Sequence, residues 1–70
     1  MIRLIDRNHI IATVFDYLQS TKYYHGRDWS FQTGTVYREN MTIRIVTITA
    51  QSSCPEVETL VALKFGELMI

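Results

Sequence analysis

Cysteine is almost absent from this sequence of 70 residues, in which Cys54 is the only one. A single cysteine excludes a disulfide within the chain and a zinc site built from clustered cysteines. The histidines, His9 and His25, and the scattered acidic residues show no spacing typical of metal ligands. We therefore expect no metal and no cofactor. A lone cysteine also favours a reducing compartment, the cytoplasm.

A long apolar run and an excess of charge of one sign are also missing. No stretch approaches the roughly 18 apolar residues of a transmembrane helix, and polar side chains interrupt the N-terminal residues, unlike a secretion signal. Seven basic residues balance seven acidic ones, whereas proteins that bind nucleic acid through its phosphates are usually basic. These absences predict no membrane attachment and weaken a nucleic-acid hypothesis without excluding it.

The short length of the chain predicts one domain, residues 1–70, with a thin core. Its apolar content of 47% is ordinary for a folded domain. Domains of this size that lack disulfides and metals often gain stability from a partner chain. The sequence therefore leaves two alternatives, a well-packed monomer and an oligomer.

The first part of the chain predicts a short strand and then an amphipathic helix. The segment 1–5 (MIRLI) has the composition of a strand, and the Asp6 carboxylate is placed to cap a helix N-terminus. Apolar residues then share one helical face: Ile10, Ile11, Val14, Phe15 and Leu18. We expect this helix to continue to about Lys22, with Gly26 as the nearest stop signal.

Two segments rich in Thr, Val, Ile and aromatic residues, Trp29–Arg38 and Met41–Ala50, predict the strands of an antiparallel hairpin. The turn between them is Glu39-Asn40, because Asn tolerates a positive φ. A two-residue turn fixes the register and places Tyr37 opposite Thr42.

In this register the apolar side chains change face partway along the hairpin. Near the turn the apolar residues are Val36, Ile43 and Ile45, and further away they are Phe31, Val46 and Ile48. A slip of one residue reverses the faces. The pattern therefore predicts a bulge, near Gly34 or at Ile45-Val46, or a hairpin covered on both faces, by helices and by a partner chain.

The last segment predicts a second helix. Ser53 and Glu56 have the spacing of a capping box, and Pro55 fits the first turn. A helical stripe follows, formed by Val57, Leu60, Val61, Lys64 and Leu68. Gly66 is placed to end the helix, and the apolar tail 68–70 is expected to pack against the domain. Alternating apolar residues from Val57 leave a strand as the alternative. The predicted fold is α+β, (β)αββα, with an antiparallel hairpin packed against two helices.

Three residues supply the types needed for nucleophilic catalysis. Asp28 follows His25 by three residues and would orient its imidazole, and Cys54 would be a thiolate favoured by a helix N-terminus. The favoured alternative for Cys54 is a half-buried residue beside a helix start. A metal-independent ribonuclease would instead use Lys22, His25, Tyr37, Arg38 and Arg44, but such enzymes are usually strongly basic. We expect no enzymatic activity and no small-molecule substrate.

The stretch STKYYHGRDWSF at 20–31 concentrates the side chains that dominate protein-binding hot spots. Tyr24 is expected at the core edge and Tyr23 in solvent, although all these aromatics could instead wrap the core. The predicted binding residues are Lys22, Tyr23, Tyr24, His25, Arg27, Trp29, Tyr37 and Arg44. The leading hypothesis is a non-catalytic module that binds a protein partner, by analogy with small bacterial or phage accessory and inhibitor proteins.

Two further hypotheses concern the hairpin. A homodimer joined by the hairpin or the last helix would complete the thin core. Alternatively, aromatic side chains and Arg44 on one face would stack bases and hold phosphate, which would make the protein a nucleic-acid-binding regulator.

Overall fold

A three-stranded antiparallel sheet is the frame of the protein in the computed structural model, which describes residues 1–70. Its strands are β1 (Ile2–Ile5), β2 (Trp29–Arg38) and β3 (Met41–Ala50), in the spatial order β1-β3-β2. The hairpin has the predicted bounds, and Tyr37 lies opposite Thr42 as the register required. With two helices, the α+β fold and its element order are confirmed.

The hairpin is continuous, and the bulge, one of the two predicted alternatives, is absent. Glu39 and Asn40 form the turn with φ values of 52° and 64°. Every residue of β2 pairs with one residue of β3, through Gly34 and past the Ile45-Val46 step. Of the two alternatives, the bulge was wrong, because the register continues unbroken while the apolar side chains change face beyond the end of the helices.

Helix α1 (Ile10–Ser20) buries the residues that recur every four positions: Ile10, Val14 and Leu18. It begins later than predicted, because Asn8 and His9 both adopt φ of 55° between the strand and the helix. His9 is the N-cap residue and no side chain caps the helix. The prediction that Asp6 caps it was wrong. The Asp6 N–H donates instead to the Arg44 carbonyl at 2.9 Å.

The C-terminus of α1 closes without glycine. Lys22 adopts φ of 69°, its N–H donates to the Gln19 carbonyl at 3.0 Å, and the Tyr23 N–H donates to the Leu18 carbonyl at 2.9 Å. This pair of bonds is a Schellman motif, in which glycine usually occupies the left-handed position. Lys22 therefore reverses the chain, and Gly26 is not the stop signal.

Helix α2 (Glu56–Phe65) confirms the helical prediction for the last segment. It buries Val57, Val61 and Phe65, and a short 3₁₀ helix follows at Gly66–Leu68. The capping box is absent, because Pro55 is the N-cap residue and no side chain bonds there. The Ser53 hydroxyl lies instead 3.9 Å from the Cys54 sulfur.

The C-terminal tail lies along the outer edge of β1. Met69 bridges to Leu4, and the Ile70 N–H donates to the Arg3 carbonyl at 3.1 Å. Leu68 packs against the core as expected, while the side chains of Met69 and Ile70 remain exposed. The tail is thus held mainly by backbone contacts with the edge of β1, and only Leu68 contributes to the core.

The core lies between one face of the sheet and the two helices. Its members are Ile2, Leu4, Ile10, Val14, Leu18, Trp29, Val46, Ile48, Val57, Val61 and Phe65. The helices cover only the end of the hairpin that is remote from its turn. The turn end projects, and the molecule measures 39 × 22 × 19 Å. Neither helix has the length and apolar character needed to span a membrane.

Candidate interaction surface

The segment Lys22–Asp28, here called the Asp28 loop, is organised around one carboxylate. Only 6% of Asp28 is exposed. Its Oδ2 accepts a hydrogen bond from the Tyr24 N–H at 2.8 Å, and its Oδ1 accepts one from the Cys54 thiol at 3.6 Å. The Asp28 carbonyl accepts the Gln51 N–H at 2.9 Å. These bonds fasten the loop to the segment between β3 and α2.

Arg27 is held against the same carboxylate. Its Nε donates to both oxygens of Asp28, at 3.1 and 3.0 Å, and its Nη2 lies 2.9 Å from Oδ2. The hydrogen bonds from Arg27, followed by the bond from the Tyr24 N–H, hold the pKa of Asp28 below its usual range. The same pairing raises the pKa of Arg27. The pair therefore remains ionised at neutral pH.

The guanidinium of Arg27 also covers an aromatic ring. Its Cζ atom lies 4.8 Å from the centroid of the Tyr24 ring, within the range of a cation–π interaction. Nη2 of Arg27 donates to the Lys22 carbonyl at 3.3 Å as well. Arg27 is exposed, as are Lys22 and Tyr24. These three residues, here called the contact surface, are thus accessible, with Arg27 held against the Tyr24 ring and bonded to the backbone of Lys22.

The two tyrosines of the loop have exchanged the expected positions. Tyr24 is 48% exposed, whereas Tyr23 is half-buried and packs against the core. The Tyr23 hydroxyl donates to Glu56 Oε1 at 3.0 Å, and this bond raises the pKa of the phenol. Helical spacing failed here because the chain reverses at Lys22, before either tyrosine.

Trp29 is fully buried, with an exposed fraction of 0%, which corrects its assignment to a binding surface. It opens β2 opposite Ala50 and points towards the helices. Its ring centroid lies 4.9 Å from that of Phe15 and 5.2 Å from that of His25. The indole therefore forms part of the core to which the Asp28 loop is attached.

The candidate catalytic residues His25, Asp28 and Cys54 do not form the arrangement that the sequence offers. The Asp28 carboxylate is occupied by Arg27, Tyr24 and Cys54. His25 is exposed on one side and packs its ring 5.2 Å from the rings of aromatic neighbours. The His–Asp pair that the sequence offers is therefore not formed, and the Cys54 thiol donates to the Asp28 carboxylate. No three His, Cys, Asp or Glu side chains are grouped to hold a metal.

The remaining predicted residues lie on the projecting part of the hairpin. Tyr37 is 79% exposed, and Arg44 is also exposed, opposite Thr35. Both belong to the helix-bearing face of the sheet, beyond the helices. A polar cavity of about 330 Å³ adjoins Arg44 and is lined by Asp6, Asn8, His9 and Arg44. The predicted binding residues thus divide into a loop group, a hairpin group and the buried Trp29.

Sequence reasoning did not identify the anchoring role of Asp28 or the open outer edge of β2. The spacing in the sequence relates Asp28 only to His25, because a sequence does not show which groups a buried acid contacts. Comparisons with protein-family models, curated proteins and solved structures found no significant match.

Proposed function

We propose that this protein is a non-catalytic interaction module that binds another protein through the contact surface of Lys22, Tyr24 and Arg27. The observation that carries the proposal is the anchoring of two exposed hot-spot side chains by one buried carboxylate. Asp28 holds the backbone of Tyr24 at 2.8 Å and the guanidinium of Arg27 at 2.9 Å. Tyr and Arg are enriched among the residues that dominate binding energies.

The fixed geometry supports binding for an entropic reason. An interface loses about 0.5–1.5 kcal/mol for each flexible side chain that it immobilises. Here the Arg27 side chain is already bonded to Asp28 and stacked on Tyr24 in the free protein. The Arg27 side chain therefore has less conformational entropy to lose when a partner binds. The partner that fits is a protein with an apolar hollow for the Tyr24 ring and carboxylates near Lys22.

Capture from a lysate of the native host tests the proposal with three immobilised proteins. The wild type and the Arg7→Ala variant, which removes an exposed cation elsewhere, are expected to retain the same partner. The Tyr24→Ala variant is expected to lose it, with at least a tenfold drop in affinity (about 1.4 kcal/mol). Thermal unfolding checks that all three are folded. Equal retention by wild type and Tyr24→Ala would reject the contact surface.

A second candidate function, binding of single-stranded nucleic acid, rests on the exposure of Tyr37 and Arg44 on one face of the hairpin. An exposed ring can stack a base while a nearby guanidinium holds phosphate. Titration with single- and double-stranded oligonucleotides at about 50 and 200 mM salt tests it. Binding that weakens with salt and disappears in Tyr37→Ala supports this function, and no salt-dependent binding rejects it.

A further inference from the structure

The outer edge of β2 carries backbone groups that no other part of the chain pairs. Hydrogen bonds alternate along an antiparallel ladder, and the pair flanking a two-residue turn, Arg38 with Met41, is a bonded one. Every second residue before Arg38, beginning with Tyr37, is therefore not bonded to β3. The N–H and C=O groups that point away from β3 are those of Phe31, Thr33, Thr35 and Tyr37. The only bond on this side joins the Gly26 N–H to the Trp29 carbonyl at 2.7 Å.

Beyond Trp29, where the Asp28 loop bonds to the strand, this edge has none of the features by which natural proteins prevent strands from pairing edge to edge. Such features are lysine, proline, inward-pointing charge, a bulge or a covering segment. β2 has the sequence WSFQTGTVYR, without lysine or proline and with its one charge, Arg38, at the end. Its ladder with β3 is free of bulges. The other edge of the sheet, at β1, is covered in part by the C-terminal tail.

We propose that two copies of this chain pair through their β2 edges, antiparallel and with Gly34 on the two-fold axis, to form one six-stranded sheet. In this register Phe31 lies opposite Tyr37 of the second copy, and Thr33 lies opposite its Thr35. A two-fold axis perpendicular to the sheet requires both residues of a pair to lie on the same face, and these do. The proposal does not depend on the contact surface of the Asp28 loop.

The sequence of β2 favours a second copy because the strand is complementary to itself in this register. Tyr37, the most exposed aromatic, meets Phe31, which packs 5.5 Å from Phe15 and 5.2 Å from His25. Aromatic and Thr–Thr pairs across strands are both stabilising. Each of these two residue pairs occurs twice by symmetry, and no like charges lie opposite each other across the two β2 strands.

In neighbouring registers fewer of the outward N–H and C=O groups of β2 find a hydrogen-bond partner. An axis at Thr33 would place Tyr37 opposite Trp29, whose carbonyl already accepts the Gly26 N–H. An axis at Thr35 would place Phe31 opposite Glu39, which lies in the turn. Only the axis at Gly34 pairs all four outward-facing residues of each copy.

Light scattering with a proline variant tests the edge. The wild type at concentrations on the order of 100 µM is expected to show twice the 8.2 kDa mass of one chain. Thr35→Pro removes an outward N–H and spares the ladder with β3, so we expect a folded monomer. Thr35→Ala keeps that N–H and is expected to remain a dimer. A monomeric wild type, or a dimer unchanged by Thr35→Pro, overturns the proposal.

Cysteine cross-linking tests the register. Residues on the axis form a non-bonded pair with Cα atoms about 4.5 Å apart, which is within disulfide range, and a Cβ at Gly34 meets nothing within 4 Å. In a Cys54→Ser background, Gly34→Cys is expected to cross-link at least tenfold faster under mild oxidation than Gln32→Cys or Val36→Cys. Equal rates, or faster reaction at a control position, overturn the register.

The Tyr24→Ala variant separates the two proposals. It removes a side chain of the contact surface and leaves the outward groups of β2 untouched. We expect it to retain the dimer mass while losing the captured partner. Loss of the dimer in Thr35→Pro with partner capture retained would show that the two surfaces are independent.

Discussion

Asp28 anchors Tyr24 through a hydrogen bond of 2.8 Å from the tyrosine N–H to the buried Oδ2. Replacing Asp28 with alanine leaves this N–H and the Arg27 guanidinium without their acceptor, and it opens the loop. We expect Asp28→Ala to be clearly less stable in urea unfolding than Asp28→Asn, which retains one acceptor oxygen. Equal stability of Asp28→Ala and the wild type would show that the carboxylate does not organise the loop.

The same carboxylate predicts a loss of stability in acid. Arg27 and the Tyr24 N–H lower the folded-state pKa of Asp28, and the Met1 amino group and the Ala50 N–H lower that of Glu58. Because the pKa of each carboxyl is lower in the folded state than in the unfolded state, ionisation of the group stabilises the fold at pH values above the unfolded-state pKa of about 4. This stabilisation is lost as the pH falls through the folded-state pKa.

Urea unfolding at about pH 7 and about pH 3 measures this acid sensitivity. The wild type is expected to lose more unfolding free energy between the two than Asp28→Asn, in which the group at position 28 no longer titrates. The double variant with Glu58→Gln is expected to lose still less. An equal loss in all three proteins would contradict the assignment.

Trp29 is expected to be essential for folding. Its side chain is buried in the core, so Trp29→Ala should cost about 3–5 kcal/mol of unfolding free energy. Trp29→Phe should cost less, because it keeps an aromatic ring and removes an indole N–H that has no partner in the chain. Circular dichroism during thermal unfolding measures both. A stable Trp29→Ala protein would contradict the burial of the indole.

The bond between Tyr23 and Glu56 is expected to be visible in a tyrosine titration. The hydrogen bond to the carboxylate raises the pKa of the phenol. Glu56→Gln removes the charge, so the pKa of Tyr23 should fall in this variant. Nuclear magnetic resonance of the tyrosine rings resolves Tyr23 from Tyr24, and an unchanged value would show that the bond is absent in solution.

The hairpin turn offers a stabilising substitution. Glu39 adopts φ of 52°, a left-handed conformation that costs an ordinary residue about 1–2 kcal/mol and that asparagine tolerates better. We expect Glu39→Asn to raise the unfolding free energy by about 0.5–1 kcal/mol. Arg38→Asn, within the regular strand, serves as the control and should not stabilise. A Glu39→Asn protein no more stable than wild type would contradict the turn geometry.

The local parts of the fold were determined by the sequence. Alternation and β-branched composition predicted Trp29–Arg38 and Met41–Ala50 with their register, because a two-residue turn leaves no freedom in pairing. The apolar spacing predicted the helical face of Ile10, Val14 and Leu18, because a helix places every third or fourth residue on one side.

The tertiary structure decided which side chains remain exposed. Local rules placed Trp29 in solvent and Tyr24 at the core edge. The reversal at Lys22 left Tyr24 exposed, whereas the position of Trp29 in β2, opposite Ala50, turned its ring towards the helices. The role of Asp28 likewise depends on Cys54 and Gln51, which are distant in sequence and are brought to it by β3 and the following turn. Burial depends on contacts between distant segments, and these are set by packing rather than by the residues adjacent in the chain.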